Sequence, residues 1–364
     1  MDHRLHALRQ ELAAKGLDAM LCGAYESYRY FSGFSGSNCH LVITQQDAVL
    51  ITDGRYTEQA RQEAPGFRLV SRPRPMRELI CETLSELAVV RVGYETMRIT
   101  DYEIGELRAC TPQIEWVPQR DFGLYARARK DAQELACIRR AVRIADQALA
   151  DLIPMLRPGM TEREIAAQLE FFMARRGSER VAFETIVASG VRGALPHGAP
   201  TDKPVQEGEM ITIDFGACSG GYLSDITRTL WLGEIPKRQH ELWNAVMEVQ
   251  RECVSAVRPG IAARDLDTLQ RKLFAARGMD AYIQHSLGHG VGLAIHEAPS
   301  VSATSELALA PGMVITIEPG LYVPQLGGVR IEDTVLVTDT GHEVLTASPH
   351  EIKIHCNPAQ NSVS

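Results

Sequence analysis

The sequence predicts an α/β chain in two parts, a small α/β domain followed by a larger α+β domain with an internal pseudo-twofold. Three observations carry that expectation. Helical and strand-like segments alternate up to about residue 122. Beyond it a faint repeat begins: Leu156-Arg157-Pro158-Gly159-Met160 returns as Val257-Arg258-Pro259-Gly260-Ile261, and Met210-Ile211-Thr212-Ile213-Asp214 returns as Val314-Ile315-Thr316-Ile317-Glu318. Both β-branched runs close on an acid, a residue poorly suited to a core and well suited to a ligand.

Taken in order, Leu5, Leu8 and Leu12 mark a first helix that ends near Gly16. Ala19 to Cys22, Leu41 to Thr44 and Ala48 to Thr52 read as strands. A helix follows Arg55-Tyr56, and a strand lies near Phe67 to Val70. A further helix runs from about Met76 to Leu87, with a strand at Val89 to Val92. There is no Gly-x-Gly-x-x-Gly loop, so this first domain (residues 1–122) is not expected to bind a nucleotide. A linker is placed at 123–131 and the second domain at 132–356. Asp131 with Glu134 has the pattern of a capping box, and Leu135, Ile138, Val142, Ala145, Leu149 and Leu152 form the apolar stripe of the helix it opens. Thr161 with Glu164 opens the next helix, with Ile165 and Leu169 on its buried face. Asp265-Leu266 repeats the Glu164-Ile165 pattern in the second copy. The tail 357–364 is expected to be disordered.

Composition removes several classes of function. A net charge of −8 argues against a nucleic-acid surface. No stretch approaches the roughly 18 apolar residues of a membrane span. The opening Met1-Asp2-His3-Arg4 reads as a charged helix, not a signal peptide. Eight cysteines lie scattered without a Cys-x-x-Cys pair, most of them in apolar runs. They are expected to be reduced, buried thiols of a cytoplasmic protein.

The chemistry-bearing residues collect in the repeat. Thr212 and Asp214 share one strand face, and Leu223, Asp225 and Thr227 share a face of the next strand. A two-residue turn centred on Ser219-Gly220 predicts Asp214 opposite Asp225. In the second copy Glu332-Asp333-Thr334 matches Asp225-Ile226-Thr227, and Pro324 to Gly328 reads as a longer loop. Arg330 shares a face with Glu332 and Thr334 and is expected to point into the same cavity. His285, His289 and His296 fall in one run interleaved with Gly288, Gly290 and Gly292, where backbone can approach a ligand closely. Four carboxylates (Asp214, Asp225, Glu318, Glu332) with one imidazole (His289) suit Mn, Co, Fe or Zn. Their charge is enough for two divalent cations, which points to a two-metal hydrolytic site. His-Glu-x-x-His and Gly-x-Ser-x-Gly motifs are absent. Thr227 fits either a partner for a ligand carboxylate or a β-branched strand filler. Cys218, beside the turn, is expected to be a spectator.

Ile213-Asp214-Phe215-Gly216, Ser224-Asp225-Ile226-Thr227-Arg228-Thr229, Gly288-His289-Gly290, Ile317-Glu318-Pro319-Gly320 and Val329-Arg330-Ile331-Glu332-Asp333 together resemble the pita-bread metallopeptidases. Val187-Ala188-Ser189-Gly190, followed by Leu195-Pro196-His197-Gly198, is similar to the Xaa-Pro aminopeptidase and prolidase branch. The resemblance runs through nearly the whole chain, from Tyr30-Phe31-Ser32-Gly33-Phe34 and Thr52-Asp53-Gly54-Arg55-Tyr56 onward. It implies a creatinase/prolidase-type N-terminal domain and a pita-bread catalytic domain.

For the site, the resemblance implies two divalent ions, Mn first, with Co or Zn as alternatives. Asp214 would chelate one ion, Asp225 and Glu332 would bridge both, and His289 with Glu318 would complete the second. A bridging water or hydroxide would be the nucleophile, and Glu318 would also shuttle its proton. His197 and His296 would hydrogen-bond the substrate and the tetrahedral intermediate. His285 and Arg330 would shape the pocket near the scissile bond and the proline. The implied reaction is hydrolysis of the N-terminal Xaa-Pro bond of short peptides, a tertiary amide whose ring fixes the local backbone. A prolidase restricted to dipeptides is the alternative. A methionine aminopeptidase, a metal-free creatinase-like hydrolase and a non-catalytic binding module fit less well, because the N-terminal domain is present and the ligand set is complete. The resemblance further implies a homodimer in which the N-terminal domain narrows the entrance, with Arg55 and Tyr56 on that edge. Neither nucleic acid nor membrane is an expected partner.

Overall fold

The computed structural model describes residues 2–120 and 122–355. Met1, Cys356 and the predicted disordered tail lie outside the described residues. The chain divides into two compact units after Arg127.

The first unit is built on a six-stranded sheet in the order β4-β3-β2-β1-β5-β6. Its strands are β1 (Ala19–Cys22), β2 (Cys39–Thr44), β3 (Ala48–Thr52), β4 (Arg68–Val70), β5 (Arg91–Glu95) and β6 (Glu115–Gln119). β1–β2 and β2–β3 pair antiparallel, whereas β1–β5, β3–β4 and β5–β6 pair parallel. The helices are α1 (Asp2–Lys15), α2 (Tyr25–Ser32), α3 (Thr57–Glu63), α4 (Met76–Glu86) and α5 (Asp101–Cys110). Sequence reading missed α2, α5 and β6. The Thr100–Glu103 capping box that starts α5 was a legible signal for one of them. The expectation of uniformly reduced cysteines fails here: Cys81 on α4 and Cys110 on α5 are joined in a disulfide. The packing of the two helices brings their Cα atoms to 6.4 Å, within disulfide reach, although 29 residues separate them. Cys22, Cys39, Cys218 and Cys253 keep their thiols.

The second unit opens with the predicted helices, which follow a short helix α6 (Leu124–Ala128). Asp131 and Thr161 cap α7 (Ala132–Leu152) and α8 (Glu162–Arg175), each in a complete capping box with its glutamate three residues on. The repeat proves to be structural. α7 and α8 precede β7 (Ile186–Ser189), β8 (Met210–Phe215), the hairpin β9 (Cys218–Ser219) and β10 (Tyr222–Leu223), and β11 (Ile226–Leu232). α9 (Lys237–Ala256) and α10 (Ala263–Ala275) precede β12 (Gly288–Gly290), β13 (Glu297–Val301), β14 (Val314–Ile317), the hairpin β15 (Gly320–Val323) and β16 (Gly327–Arg330), and β17 (Asp333–Val337). β18 (His342–Val344) and β19 (Lys353–Ile354) complete the two main sheets, ordered β19-β11-β8-β7 and β13-β12-β14-β17-β18. Even the small bonds recur: Gly159 N donates to Val205 O in one copy, as Gly260 N donates to Leu309 O in the other.

Alternation then sorts the faces. Ile211, Ile213, Phe215, Ile226 and Leu230 enter the core beneath α7 and α8, which leaves Thr212, Asp214, Thr227 and Thr229 on the opposite face. The predicted hairpin register is corrected by one turn position. Ser219 pairs with Tyr222, so the turn residues are Gly220 and Gly221, with φ of 62° and 82°. That conformation, positive at both central positions, suits glycine. The shift places Asp214 opposite Thr227 instead of Asp225. In the second copy the loop is shorter than expected, because Val323 pairs with Gly327 across Pro324, Gln325 and Leu326.

A Cβ at Gly216, between Asp214 and the turn, would lie 2.0 Å from the carbonyl oxygen of Ser224. Gly216→Ala is therefore expected to cost about 1–3 kcal/mol of stability by overpacking and to weaken divalent-ion binding as the hairpin is forced open. Thermal unfolding and metal titration would check it; unchanged values in both would show that the hairpin relaxes freely.

Candidate metal centre

The two halves meet where their acid-bearing strands end. Thr227 Oγ1 donates to Glu332 Oε2 at 2.7 Å, Glu332 N donates to Thr227 O at 3.2 Å, and Thr334 Oγ1 donates to Asp225 O at 2.7 Å. Asp214, Asp225 and Glu332 consequently offer carboxylate oxygens within 4.8 Å of one another. His289 Nε2 lies 3.6 Å from Asp225 Oδ2 and 3.2 Å from Glu318 Oε1, so the imidazole and the fourth carboxylate join the group. All five residues singled out in the sequence are brought together. Thr227 orients a carboxylate, the first of its two open readings. Thr316, one strand step before Glu318 on the same face, accepts from His289 N and donates to Glu318 Oε1. It was not picked out from the sequence, although it stands where Thr212 stands beside Asp214.

The electrostatics of this arrangement call for cations. Burial pushes Asp214, Asp225 and Glu332 above their ordinary carboxyl values, and the mutual repulsion of the acids adds to it. Burial would also raise Glu318, but His289 beside it brings its pKa down to about 2. Asp214 Oδ1 and Glu332 Oε1 are buried with no hydrogen-bond partner, a costly state for an anionic oxygen. Two such orphans beside an imidazole fit a site for divalent ions. The donor set of carboxylate oxygens and one nitrogen fits Mn, Co or Zn. With its Nδ1 donating to Gly290 O at 3.1 Å, His289 turns Nε2 toward the cluster. Burial works to lower its pKa but Glu318 beside it raises it, so the imidazole carries a proton at Nε2 that a bound ion would displace.

Around the cluster, Arg330 is more heavily engaged than a substrate contact would be. It is buried, and it donates to Asp214 Oδ2 at 2.6 Å, Tyr322 Oη at 2.7 Å, Thr227 Oγ1 at 3.1 Å and Pro196 O at 3.2 Å. His285 is likewise held. Its Nδ1 donates to Ser286 O, and its Nε2 accepts from Tyr322 Oη at 2.8 Å. Tyr322 thus links His285 to Arg330. It lies in the β15–β16 hairpin, the counterpart of β9–β10, and nothing in the sequence pattern marked it. The ring of His296 lies edge-on to that of His289, with centroids 4.3 Å apart, and the adjacent Glu297 is locked by a fully buried ion pair with Lys130 at 2.8 Å. His197 is exposed on the loop after β7, near enough to His285 and His296 for their charges to interact.

Residues 136–339 match the description Metallopeptidase family M24, and residues 4–130 match Creatinase/Prolidase N-terminal domain. The chain belongs to metallopeptidase family M24. Its second unit has the pita-bread fold of that family. An M24 relative described as Xaa-Pro dipeptidase, from Pyrococcus horikoshii, is 37% identical over 97% of this chain and 99% of its own length. The solved Xaa-Pro dipeptidase from Bacillus anthracis superposes with a TM-score of 0.94 at 37% identity, covering 97% of this chain and 99% of its own. The X-Pro aminopeptidase from Thermotoga maritima gives 0.89 at 36% identity, covering 96% and 99%.

Because Asp214, Asp225 and Glu332 have raised pKa values, the metal-free M24 site holds protons well above the usual carboxyl range near ~4. Metal binding must expel them, so affinity should fall as pH falls. The same raised values mean that stability from these three groups is present at low pH and lost as pH rises through their folded-state values; Glu318, with its lowered value, works in the opposite sense. Calorimetric titration with Mn in two buffers of different ionisation enthalpy should show net proton release near neutral pH. Buffer-independent heats would contradict this.

Proposed function

We propose that the chain is a dinuclear-metal peptidase that cleaves the bond before proline in short peptides, with Xaa-Pro dipeptides preferred. The observation that carries the reading is the cluster of Asp214, Asp225 and Glu332 within 4.8 Å, with buried, unpartnered oxygens on Asp214 and Glu332. Sequence alone puts the aminopeptidase first. The dipeptidase descriptions of relatives matching 97% of the chain favour the shorter substrate, while the Thermotoga maritima structure supports the aminopeptidase as second reading. Homodimeric, cytoplasmic action belongs to the same proposal. Among the described residues no helix is long and apolar enough to cross a membrane.

Asp214, Asp225, His289, Glu318 and Glu332 would hold the two ions. When bound, such ions supply an activated water and polarise the scissile carbonyl. The chain's own groups do the rest. Glu318, with 16% of its side chain exposed, takes the proton from the incoming water and passes it to the proline nitrogen as the bond breaks. His296 is kept neutral, because burial and then the neighbouring His289 lower its pKa. It donates one N–H to the oxygen that gains charge. His197 approaches from the opposite loop and orients the substrate carbonyl. Arg330, with His285, shapes the pocket near the proline, and it also fixes Asp214 and, through Pro196 O, the loop that carries His197.

Exhaustive chelation should abolish cleavage of Ala-Pro, and Mn or Co should restore it. A chain shown metal-free by elemental analysis that still turns over at full rate would end the proposal. kcat/KM for Ala-Pro should exceed that for Ala-Pro-Ala, and the reverse order would select the aminopeptidase. His296→Ala should lower kcat by roughly 10²–10³-fold, as for loss of one transition-state hydrogen bond, with metal content unchanged. Loss of an ion in that variant would instead make His296 a ligand.

A further inference from the structure

Glu162 is the first residue of α8 and its side chain is completely buried, an unusual place for a carboxylate with no ion to bind. Its two oxygens are saturated from three directions. Oε1 accepts from Ser189 N and Ser189 Oγ, both at 2.8 Å. Oε2 accepts from Thr201 N at 3.1 Å and Thr201 Oγ1 at 2.7 Å. Arg192 Nε lies 3.0 Å from Oε2. Burial works to raise this carboxyl, and the Thr201 and Ser189 donors outweigh it, leaving the group below its ordinary value. The amino end of a helix favours the same negative charge.

The three partners are not scattered. Ser189 is the last residue of β7, Arg192 lies in the turn that follows, and Thr201 ends the excursion. The segment between the two clamped ends is 190–200, and it carries His197. Arg192 Nη2 closes the segment on itself by donating to Ala199 O at 2.7 Å. At its tip, Arg330 Nη1 holds Pro196 O, and Arg330 also holds Asp214. His197 is therefore fixed from two sides, by the metal-site arginine at the tip of its loop and by Glu162 at the base.

We propose that Glu162 is a positioning residue for the peptidase reaction: by tying Ser189, Arg192 and Thr201 to one buried carboxylate, it sets the place of His197 relative to the metal centre. This rests on the catalytic reading of His197 given above. Glu162 touches neither substrate nor metal. Its effect is that of holding a reacting group in place, where a small displacement lowers turnover without removing any chemistry.

The test is a double-mutant cycle with an independent structural readout. Glu162→Gln leaves the shape but turns an amide N–H toward donors that need an acceptor. Thr201→Val removes one hydroxyl and keeps the backbone bond, so it serves if the glutamine variant folds poorly. Each should lower kcat on Ala-Pro by about 10-fold or more with metal content unchanged. In a His197→Ala background each should change kcat less than about twofold, because non-additivity marks groups acting through one another. Hydrogen exchange of peptide 190–201 should quicken in both variants, while peptide 210–232 should not change. Equal fold-losses in the two backgrounds, or exchange of 190–201 as slow as in the parent chain, would overturn the proposal. If His197→Ala alone keeps full turnover, the catalytic reading of His197 falls, and with it the positioning role; quickened exchange would then leave Glu162 as a loop clamp only.

Discussion

Three carboxylates, Asp214, Asp225 and Glu332, crowd within reach of one another and a fourth, Glu318, joins them through His289; among the described residues only Arg330 and His289 bring positive charge directly against them. The rest of the catalytic unit is organised by that concentration of charge. Left alone, the acids repel one another and hold protons, and two of their oxygens find no donor. The arrangement is tenable only because a rigid frame imposes it and because cations can relieve it. Hence Asp214 lies on a paired strand and the other three acids lie within one residue of a strand end, and three of the four have a neighbour that fixes their direction: Thr227 for Glu332, Arg330 for Asp214, Thr316 for Glu318.

The frame is the pseudo-twofold. Each half buries the apolar face of a strand pair beneath two helices, which turns the alternate face, with its threonines and acids, toward the other half. The two halves are then sewn together by Thr227, Thr229, Arg330, Glu332 and Thr334. Behind them lies Arg228, buried to zero exposure, which bonds Glu332 O and pairs with Asp333 at 2.9 Å. Charge that cannot escape to water is thus matched residue by residue, which is the condition for a buried ionic network to be tolerable.

Where the halves differ, they add the histidine-bearing segments to the shared frame. The first copy carries the 190–200 excursion with His197. The second carries the glycine-rich β12 with His289, the segment to His296, and in β15–β16 a longer version of the β9–β10 hairpin, which supplies Tyr322 and Arg330. These pieces are fastened back to the frame by ion pairs, Glu297 with Lys130 fully buried and the buried Glu162 with the partly exposed Arg192.

The sequence by itself determined the class of the protein and picked out its candidate metal ligands. Strand periodicity places Thr212 with Asp214 on one face, and acids that close β-branched runs have few other uses, so the five ligand candidates stood out without coordinates. The capping boxes at Asp131 and Thr161 were equally plain, because they depend on residues three apart. What the tertiary structure alone decided was everything that depends on distance through space. A hairpin turn one residue later than expected moved Asp214 opposite Thr227, since either pair of turn residues satisfies the local pattern. The Cys81–Cys110 bond needed two helices to pack. The duties of Tyr322, Arg330 and Glu162 arise from contacts across 8 to 134 residues of chain, which no local periodicity encodes.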